Sequence, residues 1–254
     1  MTTVRMTMLD CGRITLPRKE IYFGEGEAPV TVPVPAFLVE HPEGLLLFEG
    51  GMQPDVAVSL AGLPGYELEV GPEHHVTAQI TAAGFDPKDV RYALCSHLHW
   101  DHVGAIGHLP DTEFLVHRAD WEYAHDPDWF ATFAYPLEHI DRVPDWTFVE
   151  TTEESPEHDV FGDGSVVSVF VPGHSPGLQS LVLRLEDETV LLTSDAVVSE
   201  AHWERRALPF YLDAPAVVRS VERLRRVVET HGVDRVVFGH DLAQFEALRA
   251  ATTA

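Results

Sequence analysis

The chain has 254 residues, 45% apolar and 23% charged, which excludes whole-chain disorder and collagen-like repeats and allows a substantial core. Asp and Glu number 41 against 17 Lys and Arg, a formal charge of −24; phosphate contact needs a basic surface, so nucleic acid and anionic membrane faces are disfavoured and a neutral or cationic small molecule is the expected partner, with a neutral substrate foremost. Cys11 and Cys95 are the two cysteines and give no disulfide framework, no stretch of ~18 apolar residues predicts a membrane span, and Met1–Arg5 opens no signal peptide, so a cytoplasmic protein is expected.

In chain order, short runs rich in Val, Leu and Phe predict strands over Val4–Leu9, Val30–Val39, Leu45–Phe48, Tyr92–Ser96 and Phe114–His117. His75–Ala83 carries apolar residues at helical spacing and stops at Gly84. The segment Asp120–Trp146 concentrates Trp121, Tyr123, Trp129, Phe130, Phe133, Tyr135 and Trp146. These rings would line an apolar pocket, form a subunit contact, or simply cap the core; a monomer and a homodimer are both compatible with them. Further strands are expected over Val166–Val171, Ser180–Leu185, Val190–Thr193 and Val236–Phe238. Ala214–His231 is the clearest helix, with Val217, Val218, Val221, Leu224, Val227 and Val228 on one face and Gly232 at its end. Strands followed by helices in each half predict a layered α/β protein with sheets packed face to face beneath helices.

The stretch Ser96-His97-Leu98-His99-Trp100-Asp101-His102-Val103-Gly104 follows the predicted strand Tyr92–Ser96. Residues two apart in extended chain point the same way, so His97 and His99 would share one metal ion, while Asp101 and His102 turn toward a second. Imidazole and carboxylate suit zinc, and two such ions can be held a few Å apart. A dinuclear site needs further ligands, and His174, Asp195 and His240 each follow an apolar strand-like run.

With these residues in order, the chain resembles the metallo-β-lactamase superfamily, whose pattern His-x-His-x-Asp-His, then His, Asp and His, is met by His97, His99, Asp101, His102, His174, Asp195 and His240. The resemblance spans nearly the whole chain. It implies an αββα sandwich of two similar halves, one hydrolase domain over 1–254, and two Zn2+ ions. On that resemblance His97, His99 and His174 bind one zinc, Asp101, His102 and His240 the other, and Asp195 bridges them.

The stretches 96–104, 173–180, 221–228 and 238–241 look like the N-acyl homoserine lactonase branch. Two positions depart from it. Glu49-Gly50-Gly51 stands where the family has Asp-Thr-Gly, with Glu49 a candidate to orient a ligand histidine. Val198 stands where this branch places a tyrosine that contacts the substrate carbonyl; His202 and Tyr211 are the candidate replacements, with Trp121 and Phe130 as candidate contacts to an acyl chain. The expected chemistry is attack of a metal-bridging hydroxide on a lactone or ester carbonyl, with Asp195 holding both ions and Asp101 passing a proton to the leaving oxygen. The other readings are hydrolysis of a thioester, a β-lactam or another ester, and a non-catalytic metal-binding scaffold.

Overall fold

The structure is a computed structural model that describes residues 3–53, 64–104, 106–109, 111–205 and 212–252. Alternating and continuous apolar runs build two sheets. Seven strands make the first: β1 (Arg5–Pro17), β2 (Pro29–His41), β3 (Gly44–Phe48), β4 (Glu67–Glu69), β5 (Val90–Leu94), β6 (Glu113–His117) and β7 (Trp146–Val149), in the order β4-β1-β2-β3-β5-β6-β7. Its β4-β1-β2-β3 part is antiparallel, and β3, β5, β6 and β7 run parallel. The second sheet holds β8 (Glu157–Asp159), β9 (Val166–Phe170), β10 (Gln179–Arg184), β11 (Thr189–Leu192) and β12 (Arg235–Val237), in the order β12-β11-β10-β9-β8.

Three apolar layers hold this together. Between the sheets, Phe37, Leu46, Phe48, Leu94 and Leu115 meet Val166, Leu181, Leu183, Val190 and Leu192. Strands covered on both faces are buried along their length, as all of β9 and all of β10 up to Arg184 are. Outside the first sheet, Leu47, Ala93 and Val116 pack under the helix Val76–Ala82 (Val76, Ile80) and under Val103, Ile106, Ala124 and Ile140. Outside the second, Val169, Val182 and Leu191 pack under Leu224 and Val227 of the helix Ala214–His231. The result is the expected αββα sandwich, with unequal sheets of seven and five strands.

The helix Ala214–His231 begins where Asp213 accepts from Ala216 N at 3.0 Å and ends at Gly232, whose φ of 64° is left-handed. Truncating the fully buried Leu224 to alanine would cost about 2–5 kcal/mol. His75 sits outside the helix it was expected to begin; its ring accepts from Thr77 N as an N-cap. Strand β1 runs eight residues beyond its expected end, through an irregularity between Asp10 and Arg13 that carries it past Gly12. Pro33 and Pro35 are tolerated inside β2 because that stretch is paired only with β1, while β3 joins β2 from Phe37 onward. Cys11 and Cys95 are free and buried, and burial pushes both thiols up, so neither is a thiolate at neutral pH. No described helix is long and apolar enough to cross a membrane.

Candidate metal centre

Each ligand-type side chain lies just past a strand. After β5 the chain bends at Ser96, passes His97 and is extended at His99, then turns into the short helix Trp100–Val103, where His102 N donates to the His99 carbonyl at 3.0 Å. The helical turn sets the His102 ring beside that of His97, 4.1 Å between centroids, and groups Asp101 and His102 with His240. His174 lies in the loop after β9, Asp195 in the 3-10 turn Ser194–Ala196 after β11, and His240 just past β12.

These scattered residues converge. His99 Nδ1 lies 2.9 Å from His97 Nε2 and 3.0 Å from His174 Nε2. Asp101 Oδ2 lies 3.6 Å from His102 Nε2 and 3.7 Å from His240 Nε2. Asp195 stands between the two groups: Oδ2 is 3.2 Å from His174 Nε2, and Oδ1 is 3.4 Å from His102 Nε2 and 3.0 Å from His240 Nε2. The six residues other than Asp101 are buried.

A second ring of groups fixes which nitrogen faces inward. His240 Nδ1–H donates to the Pro33 carbonyl at 2.8 Å, leaving Nε2 free to ligate. Ser96 Oγ lies 2.9 Å from His97 Nδ1 and 2.8 Å from Ser194 Oγ, which donates to Glu49 Oε1 at 2.8 Å. Glu49 Oε1 in turn lies 3.2 Å from His102 Nδ1. Glu49 and Ser194 both hold left-handed backbone, φ 71° and 47°, at non-glycine positions; such strain persists only where the surroundings enforce it.

Asp120 joins the two ligand loops. It is fully buried and accepts from Leu98 N at 3.1 Å, from Gly177 N at 3.0 Å and from Ser175 Oγ. Burial pushes its carboxyl up to about 6 against the pull of those hydrogen bonds. Gly177 has to be glycine, because a Cβ there would come within 2.5 Å of Asp120 N.

The donor set fits divalent metal. Burial, and then the neighbouring imidazoles, push His97 and His99 well below the usual imidazole value, which keeps both neutral as ligands must be. Burial opposes charge on His102, yet Glu49, Asp101 and Asp195 raise it to about 10; the same contest on His240, with Asp195 foremost against burial, ends at about 9. Asp195 is held well below the ordinary carboxylate range, since His240, His102 and His174 outweigh its burial. His102 Nε2 is buried with no hydrogen-bond partner among the described residues, while aimed at two carboxylates. A cation in that space removes the cost of leaving such a group unpaired.

Above the cluster opens a cavity. Its floor is His99, Asp101, His174, Asp195 and His240, its apolar walls are Ile14, Leu16, Ile21, Val32, Trp100 and Phe133, and Glu20 and Tyr66 add polar atoms. No Lys or Arg lines it among the described residues.

A sequence profile described as the metallo-β-lactamase superfamily matches residues 30–240. The chain belongs to the metallo-β-lactamase superfamily. Among superfamily members, it is 39% identical over 260 residues to the N-acyl homoserine lactonase AttM of Rhizobium johnstonii, covering 99% of this chain and 98% of that one. It is 30% identical to the N-acyl homoserine lactonase AiiA of Bacillus thuringiensis subsp. kurstaki, over 98% of each chain. A solved N-acyl homoserine lactone hydrolase with the product N-hexanoyl-L-homoserine at its catalytic metal centre superposes with a TM-score of 0.85 at 26% identity, covering 97% of each chain.

The expected substrate contacts sit elsewhere than the expected ligands. Trp121 packs at 4.1 Å on His125 and edge-on against Phe148, Phe130 packs on exposed Trp129, and Val198 is buried with its carbonyl accepting from His240 N at 2.9 Å. His202 is buried, with Nδ1 2.8 Å from Ser199 Oγ and its ring stacked on Tyr22. None of these four is among the residues lining the cavity, and Tyr211 lies outside the described residues. Of the rings expected to line a pocket, Phe133 reaches the cavity; the sequence reading missed Asp120, Ser96, Ser194, Tyr66 and Glu20. Asp120 alone had a visible signal, an acidic residue at the head of an aromatic segment.

Proposed function

We propose that this chain is a dinuclear zinc hydrolase that opens neutral lactones, with N-acyl homoserine lactones as the foremost substrates. One observation carries the reading: two clusters of imidazole and carboxylate atoms, joined by Asp195, form the floor of an apolar cavity with no cationic side chain among its described lining residues. The names of the relatives point to the same substrate class. His97, His99 and His174 would hold one ion, Asp101, His102 and His240 the other, and Asp195 both. When bound, the pair supplies an activated water nucleophile and polarises the carbonyl.

The side chains do the rest. Asp195 presents one oxygen to each ligand group and fixes their spacing. The Ile14, Leu16 and Val32 wall seats an apolar tail and sheds water from the floor. Asp101, at the floor, takes the proton of the attacking water and returns it to the ring oxygen as the acyl–oxygen bond breaks, so the product is the open hydroxy acid. Glu20 at the wall repels anionic substrates, which argues against a carboxylate-bearing thioester.

Zinc-loaded protein assayed against a panel of lactones, linear esters, thioesters and β-lactams tests the reading. Turnover of N-acyl homoserine lactones above every other class is the expected result. Turnover of another class with no lactone opened would overturn it.

A further inference from the structure

Lactone opening builds negative charge on the carbonyl oxygen, and a hydrogen-bond donor beside that oxygen accelerates the step. The described cavity wall carries no Ser or Thr, and its single hydroxyl is that of Tyr66. Val198 offers no donor at the position that follows Asp195 by three, and it is buried away from the cavity.

Tyr66 is brought there by the first sheet. It directly precedes β4, whose pairing with β1 sets Leu68 opposite Ile14 and Glu67 opposite Thr15, so the next position along the pair sets Tyr66 beside Leu16. Ile14 and Leu16 both line the cavity, and the Tyr66 ring packs against the core cluster that contains them. The ring is therefore seated by apolar contacts, while its hydroxyl makes no hydrogen bond to another described residue. Burial, then the charges of Glu20 and Asp101, push the phenol up, so it stays protonated at neutral pH as a donor rather than a base. Tyr66 lines the same cavity as the floor residues Asp101 and His240.

We propose that Tyr66 is a substrate-contacting catalytic residue whose hydroxyl donates a hydrogen bond to the carbonyl oxygen of the lactone ring as the ring opens. The assignment rests on the lactone reading above. It gives this chain a donor from the first sheet, in place of one after β11 in the second.

The test is Tyr66→Phe, which keeps the ring and its packing. With zinc-loaded enzyme, kcat should fall about 10²-fold, by a similar factor for an N-acyl homoserine lactone and for unsubstituted γ-butyrolactone, with KM little changed. Metal content and Tm should match the unaltered protein. Binding of an unreactive N-acyl homoserine lactam, measured by calorimetry, should change by less than about twofold, because the bond strengthens only as the oxygen gains charge. A fall confined to the acylated lactone and to KM would move the contact to the side-chain amide and overturn the assignment. Loss of metal or of Tm would show a structural role and overturn it too. Full activity of Y66F beside an active unaltered enzyme overturns the assignment alone; an unaltered enzyme that opens no lactone overturns the lactone reading and the assignment with it.

Discussion

Two segments stand out in the sequence for dense chemistry, 96–104 with its histidines and 120–146 with its aromatic rings, and they fare differently in three dimensions. In the first, His99 meets His174, 75 positions along the chain, and His102 meets Glu49 and Asp195, 53 and 93 positions away. The rings of the second disperse. Trp121 and Tyr135 pack against the core, while Trp129 is 86% exposed and Phe133 reaches the cavity at 51% exposure. An aromatic ring is satisfied by any apolar neighbour and tolerates many placements. A buried imidazole or carboxylate needs a specific partner at a specific distance, so a cluster of them constrains the fold around it.

The contrast predicts a steep ordering of mutational effects. Asp195→Ala removes the group that faces both ligand clusters; lactone turnover should fall about 10³-fold or more with lower metal content, read by metal analysis beside a turnover assay. Full activity with two bound ions would break the contrast at its strongest point.

Metal binding should also report the charged state of the cluster. In the metal-free protein His102 at about 10 and His240 at about 9 carry protons at neutral pH. Because these values are raised on folding, the stability they contribute is full below the ordinary imidazole range near pH 6.5 and is lost as pH rises through about 9–10. Zinc must displace those protons, so about two protons should be released per chain near pH 7 and affinity should rise ~100-fold per pH unit, levelling off above about pH 10. Calorimetry in buffers of different ionisation enthalpy measures the release, and no proton release would contradict the charged pair.

Asp120→Asn keeps the shape of the residue that ties the ligand loops together but weakens its acceptance from Leu98 N, Gly177 N and Ser175 Oγ. Metal affinity should fall about 10–100-fold, followed by competition with a chelator, with a lower Tm. At the far end, Trp129→Ala should alter stability by less than about 0.5 kcal/mol and leave turnover unchanged. A large loss there, seen by denaturant unfolding, would show that the aromatic segment does more than its exposure indicates.

What the sequence carried by itself was whatever depends on local pattern. Apolar runs located nine strands to within a few residues at most ends, and helical spacing with a closing glycine bounded Ala214–His231. Order along the chain picked out His97, His99, Asp101, His102, His174, Asp195 and His240, because ligand-type residues just past strands have few other reasons to recur. Three strands escaped: β4 and β8 because three residues, largely polar or exposed, leave no periodic signal, and β7 because Trp146–Val149 starts at the end of the aromatic segment. Tertiary structure alone decided Pro33 holding His240 across 207 residues, Asp120 fastening two loops, and Tyr66 beside Leu16 on the cavity wall. Spacing along one segment fixes only neighbours within a turn or a pleat, whereas a cavity wall is assembled from strands whose register is settled by packing across the whole sandwich.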